Sequence, residues 1–500
     1  MPHSTPAAAR LPHPPDDHGP AQLEHTDYDV VVVGGGPPGE IVASRAAAGG
    51  LSVIVVEAEL VGGECSYWAC MPSKALLRPV EARSDARAIG GSRQSVTGAL
   101  DAAAVLARRD EFTHGWDDSS QVGWLDSEQL TLVRGRGRIT GDRQVEVVDS
   151  TGDRITVTAR HAVVLCVGSI GAAPPIDGLD GVAPWGSRDA TSADQPPGRL
   201  LVIGGGVVGV EMATAWAALG SQVTVLAAED QLLARMEPQV SPIVRNGMQR
   251  AGVDVRTGVR ATAARRDTGP DGSAVIVTLD DGTEVEGDEL LVAAGRRPAT
   301  GDIGLDVVGL EPGEALQTDD SMLVQGVDGG WLYAAGDCAG RAMLTHMGKY
   351  QARVCGDVIA ARANCTEQAT GAWQSMAATA DHAAVPQVVF TDPPAGSVGL
   401  TAQQACDAGL SVRVVEQDLG AVAGASLYAD DYQGWACLVV DEDRRVVVGA
   451  TFVGPGTAEL VHAATIAVVG EVPLDRLWHA VPSYPTISEV WLRLLEAYGL

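Results

Sequence analysis

Two segments of this chain repeat one pattern. The first is DYDVVVVGGGPPGEIVASRAAAGGLSVIVVEAE, starting at Asp27; the second is RLLVIGGGVVGVEMATAWAALGSQVTVLAAED, starting at Arg199. Each has an apolar run, then G-x-G-x-x-G, then an Ala-rich stretch of helical character, then a second apolar run. That reads as strand, Gly-rich turn, helix, strand. The glycines divide the work. Gly34 and Gly204 permit the tight turn, Gly36 and Gly206 let the backbone approach a pyrophosphate, and Gly39 and Gly209 let the helix pack on its strand. The helix N-terminus then meets the phosphate charge. One G-x-G-x-x-G is weak, but two in this context predict two dinucleotide sites.

Counting aligns the copies. Glu57 ends the second strand of the first copy, 18 residues after Gly39, where a carboxylate binds adenosine ribose hydroxyls. The same offset from Gly209 falls on Ala227, with Glu229 two residues on and no Arg before Arg235. Without a cation for a 2′-phosphate, the second site leans to NADH over NADPH.

Just past the first copy comes LVGGECSYWACMPSKALLRP. Cys65 and Cys70 precede a helix signalled by Pro72 and the Ala-Leu-Leu run. A helix N-terminus lowers thiol pKa. Zinc is a poor alternative, since no second Cys or His pair completes four ligands. Tyr67 and Trp68 form either an aromatic wall over the pair or ordinary packing. The other six cysteines, Cys166, Cys338, Cys355, Cys365, Cys406 and Cys437, are isolated and expected to be small buried hydrophobes. Of 35 Lys and Arg only Lys74 and Lys349 are lysine, a compact charge where a guanidinium fork would not serve.

The 500 residues suggest about three domains. A formal charge of −29 argues against nucleic acid and anionic lipid as partners. No apolar run approaches the ~20 residues of a membrane span, and residues 1–26 lack a signal-peptide core. They read as a disordered tail, and the expected location is cytoplasmic.

These motifs closely resemble the pyridine nucleotide–disulfide oxidoreductases, from about Tyr28 to the C-terminus. The most specific element is G-G-x-C-x4-C-x-P-S-K at Gly62–Lys74. VGS at Val167–Ser169, AAGRRP at Ala293–Pro298, AAGDCAG at Ala334–Gly340, VPQVVFTDPPAGSVGLT at Val385–Thr401 and PTISE at Pro485–Glu489 follow in the family's order. The resemblance implies an α/β chain: two Rossmann-like dinucleotide-binding domains plus a C-terminal α+β dimerisation domain. The expected divisions are an FAD-binding first part at 27–175, an NAD(P)-binding domain at 176–297, a return to the FAD layer at 298–380 and a dimerisation domain at 381–500. By the same resemblance the first copy binds FAD through Gly34, Gly36, Gly39 and Glu57. Gly137, Val167, Gly168, Ser169, Asp337 and Met343, Leu344, Thr345 and His346 contribute to that site. The second copy binds the nicotinamide cofactor through Gly204, Gly206 and Gly209, with Gly295 nearby. Cys70 is then the flavin-side thiolate, Cys65 the exchanging thiol, and Lys74 with Glu211 a pair beside the flavin. A homodimer is implied, because the family completes each site with the partner's C-terminal segment.

The chain departs from the family at one position. Disulfide reductases of this family end in H-P-T-x-S-E, whereas this chain reads PSYPTISE: Tyr484 stands in the histidine's place and Glu489 is kept. A phenol with pKa ~10 is a poor base at neutral pH. Mercuric reductases share the Tyr but carry a C-terminal cysteine pair, and this chain ends EAYGL. His462 and His479 have no motif spacing that would make either a substitute. The leading expectation is transfer from NAD(P)H through FAD and the Cys65–Cys70 disulfide to a small disulfide, quinone or soft metal ion. The alternatives are a diaphorase that reduces acceptors from the flavin directly, and an FAD-binding redox sensor without turnover.

Overall fold

The computed structural model describes residues 18–269, 272–367 and 369–500. The disordered tail expected over 1–26 therefore falls mostly on residues 1–17, outside the described residues. Residues 18–26 are ordered: Pro20–Gln22 forms a 3-10 turn, and the His25 ring stacks on Tyr28 at 4.9 Å.

In chain order, the elements that position the site begin with strand β1 (Asp27–Val33), helix α1 (Pro37–Ala48) and strand β2 (Val53–Glu57). The short helix α2 (Gly63–Tyr67) and the long helix α3 (Cys70–Ala88) follow. The second copy is β3 (Arg199–Ile203), α4 (Val207–Ala218) and β4 (Gln222–Ala227), and a later helix is α5 (Thr345–Ala363). Both repeats thus fold as strand, turn, helix, strand.

The chain divides into two compact units. One comprises residues 1–72, 110–172 and 296–381; the other comprises 73–109, 173–295 and 382–500. In the first unit, β1 lies at the centre of a seven-stranded sheet, parallel to β2 and to Arg154–Leu165. The strand Leu332–Ala334 joins parallel to Arg154–Leu165, so the chain returns to this sheet after the second copy. Val30, Val31 and Val32 are fully buried, as a central parallel strand covered on both faces requires. Each such side chain contributes roughly 1.5–3 kcal/mol.

Two glycine positions carry the nucleotide turns. Gly34 (φ 104°) and Gly204 (φ 119°) lie in the left-handed region, where an L side chain is strained. The third glycines, Gly39 and Gly209, pack directly on the carbonyls of Gly34 and Gly204, leaving no room for a Cβ. Pro37 starts α1, where its fixed φ suits a first helical turn.

Helices α1 and α5 run side by side in the same direction. Gly348 abuts Pro38, Gly356 abuts the Arg45 Cβ, Gly49 abuts Ala360, and Arg45 makes a two-pronged pair with Asp357 at 2.7 and 2.6 Å. Glycine at these contacts lets the two backbones approach closely.

The second unit holds a four-stranded parallel sheet, ordered Asp254–Thr257, β4, β3, Glu289–Val292. It also holds a three-stranded antiparallel sheet and a five-stranded antiparallel sheet over residues 386–453. The C-terminal α+β layer expected from the sequence is this five-stranded sheet with its covering helices.

Candidate functional site

In the first unit, Glu57 is buried at the end of β2. Its carboxylate accepts from the backbone N–H of Gly35 at 2.6 Å and of Glu59 at 2.7 Å. Burial pushes its pKa up, and those two donors pull the other way. Gly36 caps α1 without a side-chain bond, and a Cβ on it would meet only the Gly63 Cα, 3.9 Å away. The helix N-terminus is therefore an open cradle of backbone donors beside the Glu57 carboxylate. These residues fit the ADP half of FAD. Gly137 lies under the same turn, where a Cβ would crowd Val33 and Val56 at 2.9 and 3.1 Å.

A second group lies farther along this unit. The Ser169 Oγ donates to Asp337 Oδ2 at 2.5 Å, and Arg296 donates to the Ser169 Oγ at 2.8 Å and carbonyl at 2.6 Å. Arg296 also pairs with Glu64 at 2.7 Å. The antiparallel pairing of Ser169–Gly171 with Arg296–Pro298 brings these residues together. Burial raises the Asp337 pKa, opposed by Ser169 and the Arg296 charge. Sequence reasoning selected Ser169 and Asp337 but missed Arg296 and Glu64. The signal for Arg296 lay in the AAGRRP motif itself; Glu64 had none beyond adjacency to Cys65.

Cys70 is the first residue of α3, two positions before the Pro72 that signalled the helix, while Cys65 lies on the separate helix α2. In this structure both are free thiols, and a side-chain hydrogen bond links Cys65 to Cys70. That bond, followed by burial, pushes the Cys65 thiol up; Thr345 and the Lys349 charge oppose the rise. Cys70 Sγ lies 3.1 Å from Thr345 Oγ1 at the start of α5. Of the segment Met343–His346, Thr345 reaches the sulfur, whereas Met343 and His346 are exposed. Gly168 takes a left-handed turn and accepts from the Ala299 N–H, and Val167 is partly buried.

The aromatic wall over the cysteines is not formed. Tyr67 and Trp68 are buried and pack with Leu60 and Trp116, because rings this large gain more from apolar burial than from lining an entrance. Cys365 and Cys406 are exposed, against the expectation for isolated cysteines; they fall in loop and surface-helix positions where no core reaches them. Cys166, Cys338, Cys355 and Cys437 are buried as expected.

In the second unit, Gly206 caps α4 without a side-chain bond, and a Cβ there would meet nothing within 4 Å. This is a second open cradle, and it fits a dinucleotide pyrophosphate. Gly295 takes φ 128° after the strand Glu289–Val292. Ala227 is buried, and Glu229 and Asp230 beyond it are exposed. Lys74 Nζ pairs with Glu211 Oε2 at 2.7 Å, and Glu211 Oε1 accepts from the Phe390 N–H at 2.9 Å. Glu211 is buried, with both oxygens satisfied, and the Lys74 ammonium lies 4.9 Å from the Phe390 ring centre.

Near the C-terminus, Tyr484 precedes a cis proline and is 76% exposed. Glu489 is buried; its Oε1 accepts from Arg493 at 2.6 Å, and its Oε2 has no partner among the described residues. His462 and His479 are both exposed. Among the described residues, no helix is long and apolar enough to cross a membrane.

The comparisons with known proteins bear on the whole length. Residues 28–352 match the family model described as pyridine nucleotide-disulphide oxidoreductase, and residues 385–494 match its dimerisation domain. The chain is 32% identical to mercuric reductase of Streptomyces lividans, over 93% of this chain and 95% of that protein. It is also 32% identical to dihydrolipoyl dehydrogenase of Halobacterium salinarum, over 94% and 96%. Among solved structures, the Cu(II) complex of the HOCl-induced flavoprotein disulfide reductase RclA from Escherichia coli shares the fold. Its TM-score is 0.79 at 22% identity, covering 94% of this chain and 99% of that one. LpdA from Mycobacterium tuberculosis gives 0.78 at 23%, covering 95% and 100%. The chain therefore belongs to the pyridine nucleotide-disulphide oxidoreductases, as an FAD-dependent NAD(P)H oxidoreductase that works through a redox-active cysteine centre and carries the family's dimerisation domain.

Proposed function

We propose that this enzyme passes electrons from NAD(P)H to Cys65–Cys70 and on to an acceptor other than lipoamide or glutathione. A soft metal ion or a quinone is favoured over a small disulfide. The observation that carries this reading is Tyr484, an exposed phenol where a disulfide reductase of this family needs an imidazole. Reducing a substrate disulfide releases a thiolate that must be protonated at neutral pH, and a phenol is a much weaker acid for this than an imidazolium. A metal ion or quinone makes no such demand. The 32% identity to a mercuric reductase supports a soft metal ion.

FAD, when bound, carries the electron pair between the nicotinamide and the disulfide. Gly36 and Glu57 would hold its ADP half, with Ser169, Asp337 and Arg296 its flavin half. Cys70 would be the thiolate on the flavin side and Cys65 the thiol that meets the acceptor. Lys74 and Glu211 would form a charge pair where the nicotinamide docks. The acidic Glu229 and Asp230 favour NADH modestly, since a 2′-phosphate would meet like charge.

A homodimer is part of the reading. It is supported by the dimerisation-domain match and by exposed apolar side chains in that domain, including Leu427, Ile466, Val481 and Tyr484. The test is an acceptor screen on purified holoenzyme with lipoamide, oxidised glutathione, quinones, Hg2+ and Cu2+. Cys65→Ser should abolish thiol-dependent turnover. Quinone reduction that survives in that variant would assign quinones to the diaphorase route. Efficient lipoamide or glutathione turnover by the wild type would refute the reading.

A further inference from the structure

Only two lysines occur in the chain, and the family motif accounts for one of them, Lys74. The other, Lys349, lies one helical turn after Thr345 on α5, on the same face, and Thr345 Oγ1 touches Cys70 Sγ at 3.1 Å. Helix α1 packs along α5, with Gly348 against Pro38, so the first turn of α1, which holds Glu40, lies level with Lys349. A Cβ on Gly63 would come within 2.8 Å of the Gly36 Cα, so α2, which carries Cys65, abuts the start of α1. Helices α1, α2 and α5 of the first unit thus converge on the cysteine pair and bring an ammonium and a carboxylate with them.

We propose that Lys349, with Glu40 as its counter-charge on the neighbouring helix, is the positioning charge that stabilises the thiolate formed when the Cys65–Cys70 disulfide opens. Opening takes two electrons from NAD(P)H, breaks the S–S bond, leaves one sulfur as thiolate and protonates the other from solvent. The ammonium lowers the cost of that thiolate and so supplies, from within the subunit, part of the electrostatic help an imidazole would bring. Glu40 controls how much of the charge reaches sulfur.

The electrostatics agree with this placement. Lys349 opposes the rise of the Cys65 thiol, and it also opposes the rise of Glu40, which burial pushes up to about 7. The groups facing Glu40 are Lys349 from α5, Glu57 from β2, which adds to its rise, and Tyr67 from α2, whose phenol Glu40 pushes up. Cys65 faces Cys70, Thr345 and Lys349. The sign follows. Below about pH 7 Glu40 is neutral and the Lys349 charge acts on sulfur undivided. Above it the Glu40 carboxylate cancels part of that charge, so thiolate forms less readily than a single titration predicts.

The inference rests on Cys65 and Cys70 being the redox pair, but its test reads thiol ionisation rather than turnover. Holoenzyme reduced with dithiothreitol is alkylated with iodoacetamide across about pH 5–9, a range spanning carboxyl-to-thiol titrations. Peptide mass mapping reports each cysteine, with exposed Cys406 as the internal reference. A nearby opposite charge moves a pKa by about one unit or more, so Lys349→Met should slow the faster of the two active-site thiols about tenfold near neutrality. Lys349→Arg should restore it. Wild-type enzyme should show a shoulder near pH 7, and Glu40→Gln should remove it and keep alkylation fast above that pH. Flavin content reports folding, and Lys349→Gln carries the same expectation if the Met variant does not fold. Rates unchanged in the Lys349 variants, Arg no faster than Met, or a shoulder that persists in Glu40→Gln would each overturn the proposal. A separate arm with NADH in place of dithiothreitol tests the redox reading alone: if it generates no thiols, that reading fails while the ionisation profiles still stand.

Discussion

Replacing Tyr484 by His tests the proposed acceptor class most directly. An imidazole that protonates the leaving thiolate is worth 10²–10⁴-fold in such chemistry. The structure shows what would reduce that gain. An imidazolium needs a carboxylate to orient it, and Glu489, the retained family residue, already pairs with Arg493 at 2.6 Å. Arg493 is 43% exposed, so solvent screens the pair and it offsets only a small part of that gain. The second carboxylate oxygen, Oε2, is buried without a partner and offers an acceptor. Tyr484→His should therefore raise lipoamide reduction by about 10-fold or more, below the lower catalytic bound because Arg493 competes for Glu489. Adding Arg493→Gln should raise it further. The assay is steady-state NADH oxidation with lipoamide, together with stopped-flow reduction of the bound flavin by NADH. The reductive half-reaction should be unchanged, since it needs only flavin and nicotinamide. If the double variant holds FAD, is reduced normally by NADH and still gains nothing, then Tyr484 does not limit disulfide turnover and the reasoning fails.

Three other outcomes are expected. Heat should release FAD from the purified protein, and two-electron reduction should give a long-wavelength absorption that Cys70→Ala abolishes; release of FMN, or persistence of the band in that variant, would reject the assignments. Arg296→Ala should weaken FAD retention by ~10-fold or more, because it strips a charged donor from the buried Ser169–Asp337 pair, and equilibrium dialysis of flavin would show otherwise if the affinity is unchanged. The nicotinamide site should prefer NADH modestly; a kcat/KM ratio favouring NADPH about tenfold, equivalent to 1.4 kcal/mol, would refute the role given to Glu229 and Asp230.

The sequence by itself determined the repeats, the turns and the cysteine motif. These rest on backbone conformation and local spacing: a left-handed Gly34, a third glycine against its carbonyl, and two thiols five positions apart, the second starting a helix. A Gly-rich turn can be read from a single segment because the residues that need one another lie within about thirty positions in such a unit. Only the tertiary structure decided the side-chain partnerships. Arg296 reaches Ser169 across 127 positions, and Thr345 reaches Cys70 across 275. Tyr67 and Trp68 turned inward because burial in the Leu60 and Trp116 cluster outweighed lining an entrance, and Cys365 and Cys406 were left at the surface. Lys349 was conspicuous only as one of two lysines; its closeness to Glu40 and the cysteines depends on helix α1 packing along α5. Glu489 was legible as a family residue, but its capture by Arg493 was not, since an i,i+4 ion pair is too common to mark a site. Distant pairs of ordinary side chains leave no spacing signature, because the fold that joins them is set by strand order and helix packing elsewhere in the chain.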